Sequence, residues 1–318
     1  MKTIFFFQTP PKMFALFGWA GVGLLICSPF AFGEKAAGSS KSRTALSIEV
    51  QDRNGQKLSG LEKNAGRRHA DSALLTFQRT YEPGDRIVVT GTRRMAVRVD
   101  EQMPECLVSL GEAGRFVFEI PYDRTEKGTG SSYAPESFAG DSHRVTVRAL
   151  NGQEGHEYRN LALNPCDRPQ GDAAAPSTAA SYPHASTNSV ARGLHDFDAR
   201  NAIDGVSRNG HHGVWPYQSW GPEQVADAWW KVEFGRPVTL DKIRLMIRGD
   251  FPHDSYWKSA DVEFSDGSSM TIQIEPKAGF QEFTFPARRA AWVRLTRLVA
   301  TDPHKWCSLV ELEAWGRD

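Results

Sequence analysis

Between Leu46 and Leu150 the chain alternates apolar and polar residues. In ALSIEVQ, Leu46, Ile48 and Val50 take every second position, and the same period runs through DRIVVTG (85–91), MAVRVD (95–100), ECLVSL (105–110), RFVFEI (115–120) and HRVTVRAL (143–150). A period of two puts apolar side chains on one face of an extended chain and polar ones on the other, so each run predicts a half-buried strand. No helical period is sustained in this half. Turn chemistry separates the runs at Asn54-Gly55, at EPGD (82–85) and at Asn151-Gly152. Short strands joined by polar turns predict a β-sandwich. The Gly/Ser-rich stretch 123–142 is expected to be a long, exposed connection.

The alternation stops at residues 167–181, DRPQGDAAAPSTAAS, whose small, proline-containing composition is that of a linker. It then resumes. WWKVEF carries Trp230, Val232 and Phe234 on one face, and KIRLMI carries Ile243, Leu245 and Ile247. ADVEF and MTIQI flank Asp266-Gly267, a hairpin signal. EFTF, WVRLTRL and LVELEAW complete the set; in the last, Val310, Leu312 and Ala314 share one face while Glu311 and Glu313 share the other. The expected fold is all-β, with one sandwich over residues 44–166, a linker over 167–181 and a second sandwich over 182–318. A chain of 318 residues has room for both.

The first 33 residues have a different character. Lys2 and Lys12 are the only charges before Glu34, Met13 to Cys27 is an almost unbroken apolar run, and Ala31 to Gly33 offer small residues beyond the Ser28-Pro29 break. This is the layout of a secretory signal peptide cleaved after Gly33; the apolar run is shorter than the about 20 residues a membrane span needs. The alternative is an anchor that is kept. Cleavage places the protein outside the cytoplasm, as a secreted, periplasmic or cell-surface protein that is not integral to the membrane.

The 38 basic and 38 acidic groups balance; cleavage removes two lysines and no acid, leaving a net charge of −2. That gives no electrostatic footprint for nucleic acid. After cleavage Cys106, Cys166 and Cys307 remain. Cys106 and Cys166 either bridge or stay as buried thiols, and an odd cysteine is left in any case. No nucleophile elbow, His-Glu-x-x-His, phosphate-binding glycine loop or dinucleotide fingerprint occurs.

Eight of the nine tryptophans follow Tyr182. In the connections between strands lie Trp215, Tyr217, Trp220, Tyr256, Trp257 and Trp306, with His211, His212, Arg248, Asp250, His253, Asp254 and His304. Sugars present C–H patches that an aromatic face covers and hydroxyls that charged groups hydrogen-bond, so this composition suits a saccharide. Trp215, Tyr217, Trp220 and Trp257 are expected to supply aromatic contacts; Arg248, Asp250, His253 and Asp254 the polar ones. Drawn as acid, base and orienter, Asp250, His253 and Asp254 also suggest glycoside cleavage, but such sites line deeper clefts than a sandwich offers. Arg248-Gly249-Asp250 spells an integrin-read tripeptide, a match too short to carry weight. The adjacent pair His211-His212 has no third metal ligand near it in sequence.

Four blocks in order, NAIDG (201–205), WWKVEFGRPVTLDKIRL (229–245), WVRLT (292–296) and SLVELEAWG (308–316), make residues 182–318 similar to the discoidin, or coagulation factor five/eight type C, family and its bacterial relatives, the family-32 carbohydrate-binding modules. The resemblance implies a galactose-binding-like jelly roll and a chiefly non-catalytic binder of glycans, lipid head groups or proteins. It implies further a structural calcium, with Asp204 matching the aspartate of the DG turn and Glu311 the glutamate of the last strand, Glu313 being the register-shifted alternative; oxygen ligands suit that ion. The aromatic-rich segment after Gly205 and the loop RGDFPHDSYW (248–257) depart from the family pattern. The reading is carbohydrate recognition, with a protein-interaction module or an ancillary glycan-active enzyme as alternatives.

Overall fold

Alternation in the first half becomes two facing sheets. The computed structural model describes residues 45–318 apart from 61–65, 70, 112–113, 126, 170–180, 250 and 252. The leader over 1–33 and all but residues 167–169 and 181 of the expected linker therefore lie outside the described residues. Among the described residues no helix is long and apolar enough to cross a membrane.

The N-terminal part contains β1 (Ser47–Gln51), β2 (Gly66–His69), β3 (Ser72–Gln78), β4 (Arg86–Thr90), β5 (Arg94–Arg98), β6 (Cys106–Leu110), β7 (Arg115–Glu119) and β8 (Ser142–Ala149). β1, β4 and β7 form one sheet; β6, β5, β8, β3 and β2 lie in that order in the other. Ile87, Val89 and Phe116 of the small sheet share a core with Met95, Val97 and Val145 of the large one. Every alternating run became a strand. β3 was not foreseen, because the Leu74-Leu75 doublet interrupts its period. Cys106 of β6 is disulfide-bonded to Cys166, and Cys307 is a buried free thiol.

The C-terminal part adds β9 (Arg159–Asn160), β10 (Ser181–Tyr182), β11 (His184–Thr187), β12 (Trp230–Ile247), β13 (Trp257–Phe264), β14 (Ser269–Gln273), β15 (Gln281–Ala300) and β16 (Leu309–Arg317). The sheet order is β14-β13-β15-β12-β16-β9, with β11 also on β12. β12 and β15 are long because each runs through two register shifts, between Glu233 and Val238 and between Leu240 and Lys242 on β12. Such shifts bend a strand and increase its twist. The hairpin at Asp266-Gly267 is present: Gly267 sits at φ +85° and β13 pairs with β14 across it. Trp220, Trp230, Phe234 and Phe264, all at most 1% exposed, anchor this core.

Two short strands cross between the sandwiches. β9 precedes residues 170–180 yet pairs with β16, while β10 follows them and pairs with β6. The ends are fastened by charge: Asp318 accepts from both Arg94 and Arg236, and Arg236 also donates to Ser109 Oγ at 2.9 Å. Residues 42–318 form one compact unit. The stretch 123–142, expected to be exposed, is instead partly buried between the sandwiches. Gly130, Ser131, Ser132 and Phe138 are buried, and Tyr133 Oη accepts from the buried Arg200 at 2.7 Å. Its glycines made it read as a free loop; they allow close backbone approach instead, since a Cβ on Gly130 would lie 2.5 Å from the carbonyl oxygen of Asp123.

Candidate functional site

Three connections meet at one end of the C-terminal sandwich: the long segment between β11 and β12, the loop from Arg248 to Tyr256, and residues 301–308 between β15 and β16. Backbone bonds hold them together. Trp220 and Leu309 exchange N–H···O bonds at 2.8 Å each way, Arg248 N–H donates to Ser308 O at 3.1 Å, and Ser255 N–H donates to Trp306 O at 2.8 Å. Gly249 N–H reaches Asn209 O at 2.8 Å, drawing the first connection onto the second. Loops fixed in this way can hold side chains in place on a rigid scaffold.

The three connections enclose a cavity of about 340 Å³ lined by Arg192, Arg248, His253, Asp254, Lys305 and Trp306, with His212 and His304 at the same wall. Arg248, one residue beyond β12, and Asp254 are 3% and 4% exposed and form an ion pair. The other Asp254 oxygen faces His253 Nδ1 at 3.3 Å. His253 stacks on His212 with centroids 5.0 Å apart and rings 14° from parallel. The guanidinium of Arg192 lies 5.6 Å from the ring centroid of Trp306. Arg192 has a left-handed backbone, φ +56°, and its N–H donates to Glu223 Oε1 at 2.6 Å. A non-glycine residue is uncommon there and is held by its surroundings.

The residues singled out in the sequence divide. Arg248, His253 and Asp254 line the cavity together. Trp220 does not: it is fully buried, donates Nε1–H to Ser189 O at 3.1 Å and stacks on Trp257 at 5.6 Å. The expected sugar platform at Trp220 is corrected to a core residue, because no face of its ring is open. Trp257, 5% exposed, covers that core and borders a separate cavity of about 380 Å³. Trp215 is 36% exposed, but its N–H is bound to Ser131 O of the other sandwich and it lies outside the cavity lining. Tyr217 is half-buried, 5.5 Å from the ring of His211. Asp250 lies outside the described residues. The tryptophan that does line the cavity, Trp306, had the same loop signature as its neighbours, and Phe197 lines it too. Arg192 and Lys305 carried no sequence signal beyond being basic.

His212, His253 and Asp254 hold ligand-type atoms within 4.8 Å of one another, so His212 meets two such groups from a different loop while His211 lies outside the set. Charge decides what this group is suited to hold. Asp254 is already committed to Arg248, and Arg192 and Lys305 add positive charge around it.

Asp204 and Glu311 lie apart from this cavity lining, inside the domain. Both are buried, at 6% and 2% exposure. Asp204 accepts from Val206 N–H and from Gln218 Nε2, each at 2.8 Å; Glu311 accepts from Gly205 N–H at 3.2 Å. Burial pushes the Asp204 carboxyl up to about 6. Burial, and then the Asp204 charge, push Glu311 well above the ordinary carboxylate range. Gln218 Oε1 is buried without a hydrogen-bond partner. Two buried carboxylates repelling each other beside an orphaned amide oxygen are a donor set that fits a hard divalent cation. On β16 the side chain of Glu311 therefore does not face water, contrary to the simple alternation, whereas Glu313 pairs with Arg244 at 2.7 Å and is committed elsewhere.

Comparison with solved structures returns carbohydrate-binding modules at low likeness. Chitosan-binding module 1 of a chitosanase/glucanase from Paenibacillus sp. IK-5 is 24% identical, covering 49% of this chain and 98% of its own, with a TM-score of 0.34. A Streptococcus pneumoniae fucose binding module is 16% identical over 50% of this chain and 98% of its own, TM-score 0.36. A family 32 module from C. perfringens in complex with galactose is 16% identical over 41% and 91%, TM-score 0.32. No curated protein matches the chain. The C-terminal sandwich does match a family model: residues 183–312 match the F5/8 type C domain.

Proposed function

We propose that the protein recognises carbohydrate without cleaving it, and that the ligand sits in the cavity between Arg192, Arg248, Asp254 and Trp306. The observation that carries this reading is the cavity itself: one indole beside a fixed set of hydrogen-bonding groups, at the loop end of an F5/8 type C domain. Trp306 offers the face for a sugar's C–H patch, and the buried Arg248–Asp254 pair presents preset polar atoms for hydroxyls. Among the described residues the cavity lining holds one carboxylate, Asp254, and an arginine holds it, whereas glycoside cleavage uses two opposed carboxylates. Export of the protein is part of the same proposal. On a glycan array, the wild type should be retained and Trp306→Ala should lose at least about tenfold in affinity, in line with a truncated aromatic anchor, with an unchanged melting temperature. A folded wild type that binds no glycan ends the proposal and favours a protein partner.

The proposal includes a calcium ion held by Asp204 and Glu311, whose charge would neutralise the pair and satisfy Gln218 Oε1. Bound ion stabilises the fold by mass action, about 2.7 kcal/mol at a hundredfold excess over its dissociation constant. Calcium should therefore raise the melting temperature at pH 7.5 by roughly 5 °C or more over chelator, and Glu311→Gln should abolish the difference. Identical melting curves in calcium and chelator would remove the ion from the account.

A further inference from the structure

We infer that the ligand is an amphipathic saccharide, one whose attached hydrocarbon chain lodges in the second cavity, the one bordered by Trp257; this rests on the saccharide site proposed above and specifies its ligand. The two cavities are neighbours. Trp306 and Lys305 line both, and the backbone passes from the first lining to the second at Gly221-Pro222. A molecule seated on Trp306 in the first cavity therefore has a direct way into the second. The chemistry changes across that boundary. Among the described residues the first cavity carries arginine, histidine and aspartate side chains, whereas the second is walled by Pro222, Val225, Ala226, Leu298, Val299 and Ala300.

Burial orders the second cavity from floor to rim. Ala228, Trp257 and Cys307 are buried, and burial pushes the Cys307 thiol up to about 11, as dry apolar surroundings do. Val225, in the connection before β12, and Val299, on β15, are 45% and 42% exposed. A single exposed valine needs no explanation, but two on one cavity continuous with a ligand site point to an apolar occupant. The polar side chains of this lining are Glu223, Gln224 and Lys305. Gln224 and Lys305 are exposed, and Glu223 Oε1 already accepts from the backbone N–H of Arg192. A second sugar ring would press hydroxyls against valine, leucine and proline and leave them short of partners, which costs free energy. A hydrocarbon chain has no such need and takes its own surface, with that of both valines, out of water. Trp306 suits the junction, since an indole packs against a sugar's C–H patch and against hydrocarbon alike.

The test is isothermal titration calorimetry of the full chain with matched methyl and octyl β-glycosides of glucose, galactose and N-acetylglucosamine, each below its micelle concentration. The variants are Val225→Ser and Val299→Thr combined in one chain, and Val214→Ser, which changes an exposed valine outside both linings. Melting curves verify that each is folded. For at least one sugar the octyl glycoside should bind about tenfold or more tighter than the methyl glycoside, since each buried methylene contributes about fourfold. Its binding should also show the more negative heat-capacity change of apolar burial. In the double variant the octyl-to-methyl ratio should fall to about threefold or less as that burial is lost, and Val214→Ser should keep the wild-type ratio. Equal affinity for the methyl and octyl forms would overturn the inference and leave the saccharide site intact. An octyl gain that the double variant keeps in full would overturn it as unspecific adsorption. A dimer in sedimentation that the double variant dissociates would overturn it by giving the cavity to a second copy of the chain. No heat from any glycoside would overturn it together with the site.

Discussion

Replacing Trp220 with alanine is expected to cost about 3–5 kcal/mol of stability, the range for deleting a buried tryptophan, and to lower the melting temperature by on the order of 10 °C. Three losses add up. The indole is completely buried, so a cavity opens under Trp257, which stacks on it at 5.6 Å. Ser189 O loses one of its two side-chain donors and keeps Thr187 Oγ1, and the position that clamps the long connection onto Leu309 loses the bulk that fixes it. Trp220→Phe keeps most of the volume and forfeits the hydrogen bond, so its cost should be smaller, about 1–2 kcal/mol. Thermal unfolding of both variants decides the matter. A Trp220→Ala protein with a normal melting temperature and no glycan binding would return Trp220 to the ligand site and undo the assignment made from burial.

That assignment shows where sequence reasoning was blind. Alternation is a one-dimensional signal, and it marked β12, β13 and β16 because a half-buried strand writes its two faces into successive residues. Loops write no such pattern. Trp215, Trp220, Trp257 and Trp306 all sit in or beside loops of similar polarity, yet one is sealed in the core, one covers it, one meets the other sandwich and one faces the cavity. What separates them is contact with residues far along the chain, such as the Trp220–Leu309 pair. Arg248, His253 and Asp254 were legible because they lie within seven residues of one another. Arg192 and Lys305 were not, because their meeting across the cavity depends on three loops closing together. The resemblance of residues 182–318 to an F5/8 type C domain carried the fold further than composition did, and the match over 183–312 agrees with it. It gave no warning that β9 and β10 cross between the sandwiches, since two-residue strands have no period to detect.

Cutting the Cys106–Cys166 disulfide should be the second large loss. The bridge spans 60 residues of sequence, and closing a loop of that size removes enough unfolded-chain entropy to stabilise the fold by about 4 kcal/mol on the chain-entropy argument. Its position makes the effect reach beyond the N-terminal sandwich. Cys166 precedes Asp167, whose carboxylate binds His184 Nδ1 and the Ala185 N–H at 2.8 Å each, and whose carbonyl accepts from the buried Arg200 at 2.9 Å. Arg200 in turn donates to Tyr133 Oη in the stretch packed between the sandwiches. The bridge thus ties β6 to the residue that organises the start of β11 and the turn at Ala199–Ile203. In Cys166→Ser, both sandwiches should unfold in one transition at a lower temperature, and denaturant titration followed by tryptophan fluorescence, which reports almost entirely on the C-terminal part, should shift with it. A fluorescence transition that stays in place while the overall circular dichroism signal of the N-terminal sheets melts early would show that the two sandwiches unfold separately, and that the crossing strands and the Arg200 contacts couple them less than their burial implies.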